Sequence, residues 1–228
     1  MVRKKITILI DGEEKEFIPK AIRPKIETSY IGANTPKLLS NEEKNSLKKS
    51  FNIADEFIVC IVGRIEEAKG QHIVLKAVES LRKSGIKIKT LVVGHYMDEN
   101  YFNNLKNSYS NDIFTNFVSN PTDLMQISDC VVLATKKETF GLVLIEAMKC
   151  GVCVLGSNSG GPLEIIDDEK TGLLFESMNS DSLYEKLSLI IENEELKETL
   201  ALNGKIKANE FFDSKKQLED IKNRFSAL

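Results

Sequence analysis

The 228-residue chain carries no surplus of positive charge: 31 basic and 34 acidic residues are mixed along it, for a formal net charge of -3. That absence excludes the broad basic field by which proteins attract nucleic acid, so a bound anion needs a local site. Long hydrophobic runs are missing too. The longest, such as Phe57 to Gly63 and Cys130 to Ala134, are strand-sized, against the roughly 20 apolar residues that a helix needs to cross a bilayer. The start, Met-Val-Arg-Lys-Lys followed by Ile6 to Ile10, lacks the apolar stretch and small-residue cleavage site of a secretory signal. The expected location is cytoplasmic. Peripheral attachment at the inner membrane face is left open, since the terminal helices are charged without forming a clear basic amphipathic anchor. Cysteine is scarce: of Cys60, Cys130, Cys150 and Cys153, only the last two have redox spacing. That pair straddles the end of a helical pattern and the start of a strand, whereas a depressed thiol pKa needs a helix N-terminus. Neither redox chemistry nor a metal site is expected, and no internal repeat or low-complexity tract is visible.

What is present is alternation. Strand-sized apolar runs at Phe57 to Gly63, Thr90 to Gly94, Phe114 to Val118, Cys130 to Ala134 and Val152 to Gly156 are separated by segments with helical spacing. These are Gly70 to Ser84, Tyr101 to Tyr109, Pro121 to Ile127 and Gly141 to Cys150. The pattern predicts an α/β fold, a Rossmann-like parallel sheet with helices on both faces. Residues 30–180 would form this domain, 181–228 helices packed on it, and 1–29 a preceding remnant or linker. Met1 to Ile10 reads as a strand and Tyr30 to Lys37 as a loop. Ligands in such sheets bind beyond the carboxyl ends of the strands, which directs attention to the strand-to-helix loops.

Three loops stand out. The first, Gly63-Arg64-Ile65-Glu66-Glu67-Ala68-Lys69-Gly70, brings two cations to the sheet edge, as a diphosphate requires; a solvated basic pair is the plainer reading. The second runs from Thr135 through Glu138, Phe140, Gly141, Leu142 and Val143 to Glu146. Amides near Phe140 to Val143 would open a helix whose N-terminus suits phosphate. Glu146 would follow Glu138 by roughly 7 to 9 Å along the axis. Carboxylates on either side of a phosphate suit the hydroxyls of a sugar and of a ribose. Alternatively Glu138 caps the helix and Glu146 is an exposed acid, or the two are a glycosidase pair, which has no need of a phosphate site. The third, Ser157-Asn158-Ser159-Gly160-Gly161-Pro162-Leu163-Glu164, offers glycines for close backbone approach to a ligand, or a tight turn only.

With these motifs in this order, the chain resembles the donor-binding domain of glycosyltransferase family 4, a retaining family of the GT-B fold, over about Tyr30 to Phe175. The resemblance implies that Arg64 and Lys69 hold a donor diphosphate and stabilise the leaving nucleotide in place of a metal ion. It implies that Glu138 holds the transferred sugar and Glu146 the ribose, and that amides at Phe140, Gly141, Leu142 and Val143 contact phosphate and sugar. Gly160 and Gly161 would adjoin the ligand, and Ser119, within Val118 to Asn120, would lie near the base. A nucleotide diphosphate sugar is the implied donor, a glycan or lipid-linked compound the acceptor, and polysaccharide synthesis the setting. Met1 to Glu27 is too short for the acceptor-binding domain, so the chain is expected to be a fragment, to work with a separate subunit, or to be a noncatalytic nucleotide-sugar-binding module. A sugar-nucleotide epimerase is a further alternative. Gly94-His95-Tyr96-Met97-Asp98 departs from the family's Gly-rich turn, and His95 and His72 read as structural.

Overall fold

The computed structural model describes residues 31–226. The expected strand over Met1 to Ile10 lies outside them. Helix α1 (Asn41–Ser50) opens on a capping box in which the Ser40 hydroxyl and Glu43 carboxylate exchange bonds with each other's backbone amides, satisfying donors that a helix start leaves unpaired. This helix lies outside the segments whose apolar spacing predicts helix.

Strand β1 (Phe57–Val62) is buried on both sides at Ile58, Val59, Cys60 and Ile61; burying a Val or Ile side chain contributes about 1.5–3 kcal/mol. It leads through a single 3-10 turn, Glu67–Lys69, into α2 (Gln71–Lys83). Then follow β2 (Ile88–Val93), α3 (Glu99–Ser108), β3 (Ile113–Thr115), α4 (Pro121–Met125), β4 (Cys130–Leu133) and α5 (Leu142–Cys150). The chain continues through β5 (Cys153–Ser157), α6 (Pro162–Ile165), β6 (Leu173–Phe175), α7 (Ser180–Glu192), α8 (Glu194–Phe211) and α9 (Ser214–Ser226). The strands form one six-stranded sheet in the order β3-β2-β1-β4-β5-β6, with parallel pairing throughout. One core cluster joins α2 and α7 to the sheet and another joins α4, α5 and α8 to it, so helices cover both faces as expected. Leu183, Leu187 and Ile190 of α7 are fully buried.

Several expected boundaries move for local reasons. The strand expected over Phe114 to Val118 ends at Thr115 because its partner β2 ends at Val93, the residue registered with Thr115. Helix α3 begins two residues before Tyr101 because Asp98 caps it, accepting from the amides of Asn100 and Tyr101. The strand expected from Val152 begins at Cys153, since the Val152 amide is taken by the Ala147 carbonyl at the end of α5. The short edge strand β6 was not anticipated.

Residues 31–36 are stitched to the far end of the chain. Ala33 bridges Asp213, its amide donates to the Phe212 carbonyl at 3.0 Å, and the Gly32 amide donates to Gln217 Oε1 at 2.8 Å. The Lys149 side chain, fully buried at the end of α5, donates from Nζ to the Ala33 carbonyl at 2.6 Å. Its ammonium lies 3.7 Å from Asp213, and burial pulls its pKa below the ordinary lysine value.

Candidate active site

In the order β3-β2-β1-β4-β5-β6 the winding reverses between β1 and β4, which in open α/β sheets opens a crevice at the carboxyl edge. The loops after these two strands carry the first two sequence motifs. After β1, pairing with the β2 side continues beyond the strand: Gly63 N donates to Val93 O and Ile65 N to His95 O, both at 2.9 Å. Ile65 is fully buried and anchors the loop, while Arg64 beside it extends into solvent, paired with Glu66 at 3.1 Å. The Arg64 carbonyl accepts from Gln71 Nε2 at 2.7 Å. Lys69 follows the turn and pairs through Nζ with Glu138 Oε2 at 3.1 Å. The loop after β4 is joined to the first by a Lys136 N–H to Ala68 carbonyl bond of 3.0 Å.

Helix α5 starts at Leu142 on Gly141, whose φ of +99° is a left-handed conformation and which supplies no side-chain cap. Glu138 does not cap it, so the alternative in which it does is set aside. The Leu144 amide is satisfied by the Gly141 carbonyl, leaving the earlier turn facing a cleft. That cleft, of about 440 Å³, is lined by Arg64, Lys69, Glu138, Phe140, Gly141, Leu142 and Val143. Two cations, a carboxylate and a helix N-terminus thus share one concavity, a combination suited to an anionic ligand bearing hydroxyls.

The remaining expected residues lie off this lining. The glycines of the third loop make their close approach to the chain itself. A Cβ on Gly160 would stand 2.2 Å from the Glu138 carbonyl oxygen, and one on Gly161 2.0 Å from that of Phe140. The Gly161 amide also donates to the Glu138 carbonyl at 2.8 Å. The third loop is therefore a backing for the second, and its glycines are required by that packing. Glu146 sits half-buried in the second turn of α5, with no hydrogen bond or ion pair among the described residues, and burial raises its carboxyl pKa. Ser119 is exposed between β3 and α4.

Three features of the site were not expected from the sequence: Ile31, which also lines the cleft, the edge-to-face contact of Phe140 with Phe212 at 6.1 Å, and Gln71. A polar side chain directly after Gly70 on the buried face of an apolar helix was the available signal for the last. His72 is bonded to the Tyr101 hydroxyl at 3.1 Å and His95 stacks on Tyr96 at 5.3 Å. All four cysteines are free and buried; burial pushes the Cys60, Cys150 and Cys153 thiols up to about 12. Among the described residues no group of three or more His, Cys, Asp or Glu could hold a metal ion, and no helix is long and apolar enough to cross a membrane.

Fold and cleft together define a Rossmann-like α/β domain with a cation-lined cleft at the carboxyl edge of its sheet. Residues 42–207 match the family described as Glycosyl transferases group 1, and the chain belongs to that family. It is 28% identical over 192 residues to the capsular polysaccharide biosynthesis glycosyltransferase CapM of Staphylococcus aureus, covering 80% of this chain and 50% of that protein. It is 29% identical over 230 residues to the human alpha-1,3/1,6-mannosyltransferase ALG2, covering 85% and 55%. The chain thus spans about half the length of the curated relatives it matches. Anabaena Alr3699/HepE, solved in complex with UDP, superposes with a TM-score of 0.83 at 25% identity, covering 89% of this chain and 58% of that one. The C-terminal domain of the group 1 glycosyl transferase LpcC from Francisella tularensis superposes with a TM-score of 0.71 at 25% identity, covering 80% of this chain and 99% of that domain. The architecture is that of one half of a GT-B fold.

Proposed function

We propose that this chain is the donor-binding half of a retaining family 4 glycosyltransferase, which moves a hexose-type sugar from a nucleotide diphosphate sugar to a glycan or lipid-linked acceptor in the cytoplasm. The observation that carries the reading is the gathering of Arg64, Lys69, Glu138 and the uncapped start of α5 around one cleft at the β1/β4 crevice. The UDP and UDP-glucose complexes of Alr3699/HepE and the polysaccharide role in the name of CapM support it.

In this reading Arg64 and Lys69 bind the diphosphate, and the α5 amides add donors aimed at its oxygens. As the bond from sugar to phosphate breaks, negative charge grows on the leaving nucleotide, and two fixed cations plus a helix N-terminus stabilise it without a metal ion. Lys69 exchanges its carboxylate partner for phosphate, which frees Glu138 to accept from the sugar hydroxyls. Glu146 accepts from the ribose, whose arrival gives its solitary half-buried carboxylate the partners it lacks. Ser119 lies toward the base. The acceptor is presented by a separate domain or subunit, in keeping with the half-length match to the relatives. The epimerase alternative has no observation in its favour.

The test is calorimetric titration of the chain with UDP, GDP and ADP in the presence of a chelator. One nucleotide should bind, and Arg64→Ala should weaken it by about 10- to 100-fold, the range for a hydrogen bond to a charged group. Glu146→Ala should weaken the same nucleotide. Failure of all three to bind would sink the reading.

A further inference from the structure

Gln71 is the first residue of α2 and is 1% exposed. Its carboxamide is used on one side only. Nε2 donates to the Arg64 carbonyl at 2.7 Å, while Oε1 is buried with no hydrogen-bond partner among the described residues. A buried acceptor left unpaired destabilises a fold, so a residue chosen for stability alone at this core position would be apolar. Losing the carboxamide would remove the bond to the Arg64 carbonyl but also relieve the unpaired Oε1, two effects of opposite sign. The net contribution of Gln71 to folding is therefore small. What it does fix is the backbone at the one cleft cation whose side chain projects into solvent.

We propose that Gln71 is a positioning residue: its buried carboxamide grips the Arg64 carbonyl so that the guanidinium is held over the diphosphate, at a cost to stability borne at Oε1. This rests on the donor-site reading above. Ile65 is already anchored by its buried side chain and by its bond to His95. Gln71 closes the remaining freedom on the Arg64 side of that anchor, and presenting a bidentate side chain in a fixed orientation strengthens each bond it makes to phosphate.

Gln71→Met keeps the length and approximate volume of the side chain and removes both polar atoms. The experiment measures UDP affinity, with GDP and ADP in parallel, and the urea midpoint, for the unsubstituted chain, Gln71→Met, Arg64→Ala and the double variant. Ligand-observed NMR reaches the weak affinities. Gln71→Met should weaken nucleotide binding by about 3- to 10-fold, the worth of one hydrogen bond, with its urea midpoint unchanged or raised. In the Arg64→Ala background the same substitution should change affinity by less than about twofold, because it acts only through Arg64. An equal loss in both backgrounds would overturn the proposal, as would a lowered midpoint accompanying the lost affinity, since either marks a structural role. Absence of nucleotide binding by the unsubstituted chain would instead overturn the donor-site reading and this proposal with it; binding that Gln71→Met leaves untouched overturns this proposal alone.

Discussion

Replacing Gly160 by alanine separates two costs that the backing loop imposes on the cleft. Gly160 has a φ of +68°, which an L-residue occupies at a penalty of about 1–2 kcal/mol. The added methyl would also stand 2.2 Å from the Glu138 carbonyl oxygen, a backbone atom, so one loop must move by about an ångström. Overpacking of this kind costs about 1–3 kcal/mol, for a total of about 2–5 kcal/mol. Gly85 provides the control: its φ is +91° and a Cβ there meets nothing within 4 Å, so Gly85→Ala meets the conformational penalty alone. Urea denaturation of both variants gives the difference, and nucleotide titration shows where it is spent. Gly160→Ala should lose more stability than Gly85→Ala and should also lose nucleotide affinity, because the loop it displaces carries Glu138. Equal destabilisation of the two variants, with Gly160→Ala binding nucleotide normally, would refute the argument that the third loop backs the second.

Two further outcomes follow from buried charge. The folded-state pKa of Glu146 is raised by desolvation, so its ionised form disfavours the folded chain at neutral pH and its protonated form does not. Glu146→Gln should therefore raise the urea midpoint at pH 7, with the gain vanishing as pH falls below the ordinary carboxylate range; a midpoint that drops at pH 7 would contradict the assignment. Lys149→Met removes the 2.6 Å bond to the Ala33 carbonyl and leaves that buried acceptor only the longer 3.4 Å bond from the Ser214 amide, at a cost of about 1.5–3 kcal/mol, the worth of a hydrogen bond from a charged donor. Limited proteolysis should then cut near Gly32 to Asn34 sooner than in the unsubstituted chain, and an unaltered cleavage rate would argue against the clamp.

The central elements were legible because local pattern and tertiary environment agree. β1 is an unbroken apolar run since both its faces are covered, and α2 repeats Ile73, Val74, Ala77, Val78 and Leu81 at the period that one buried face demands. Three-residue β6 is too short to show any period. Helix α1 was legible in Ser40 and Glu43 but has no buried residue, so hydrophobic periodicity gave no cue to it. At the site, cations and glycines at strand ends are local features and could be read. The partners of Gly160 and Gly161 were not legible, since Glu138 and Phe140 reach them only through the neighbouring strand. Ile31 was invisible for the same reason, because its place at the cleft depends on a bridge to Asp213.

That bridge gives the domain a buckle. The hydroxyl of Ser214 reaches Asn34 Oδ1 at 2.8 Å across 180 positions of chain, and since closure entropy grows with the logarithm of length, fastening so long a belt costs only about 0.6 kcal/mol more than one half as long. The fastening sits beside the cleft wall: Ile31 precedes it on one strap, and Phe212 on the other leans against Phe140. Loosening α9 would therefore slacken the cleft from behind, so a mutation in that helix is expected to weaken the proposed nucleotide binding without touching a single residue of the cleft lining.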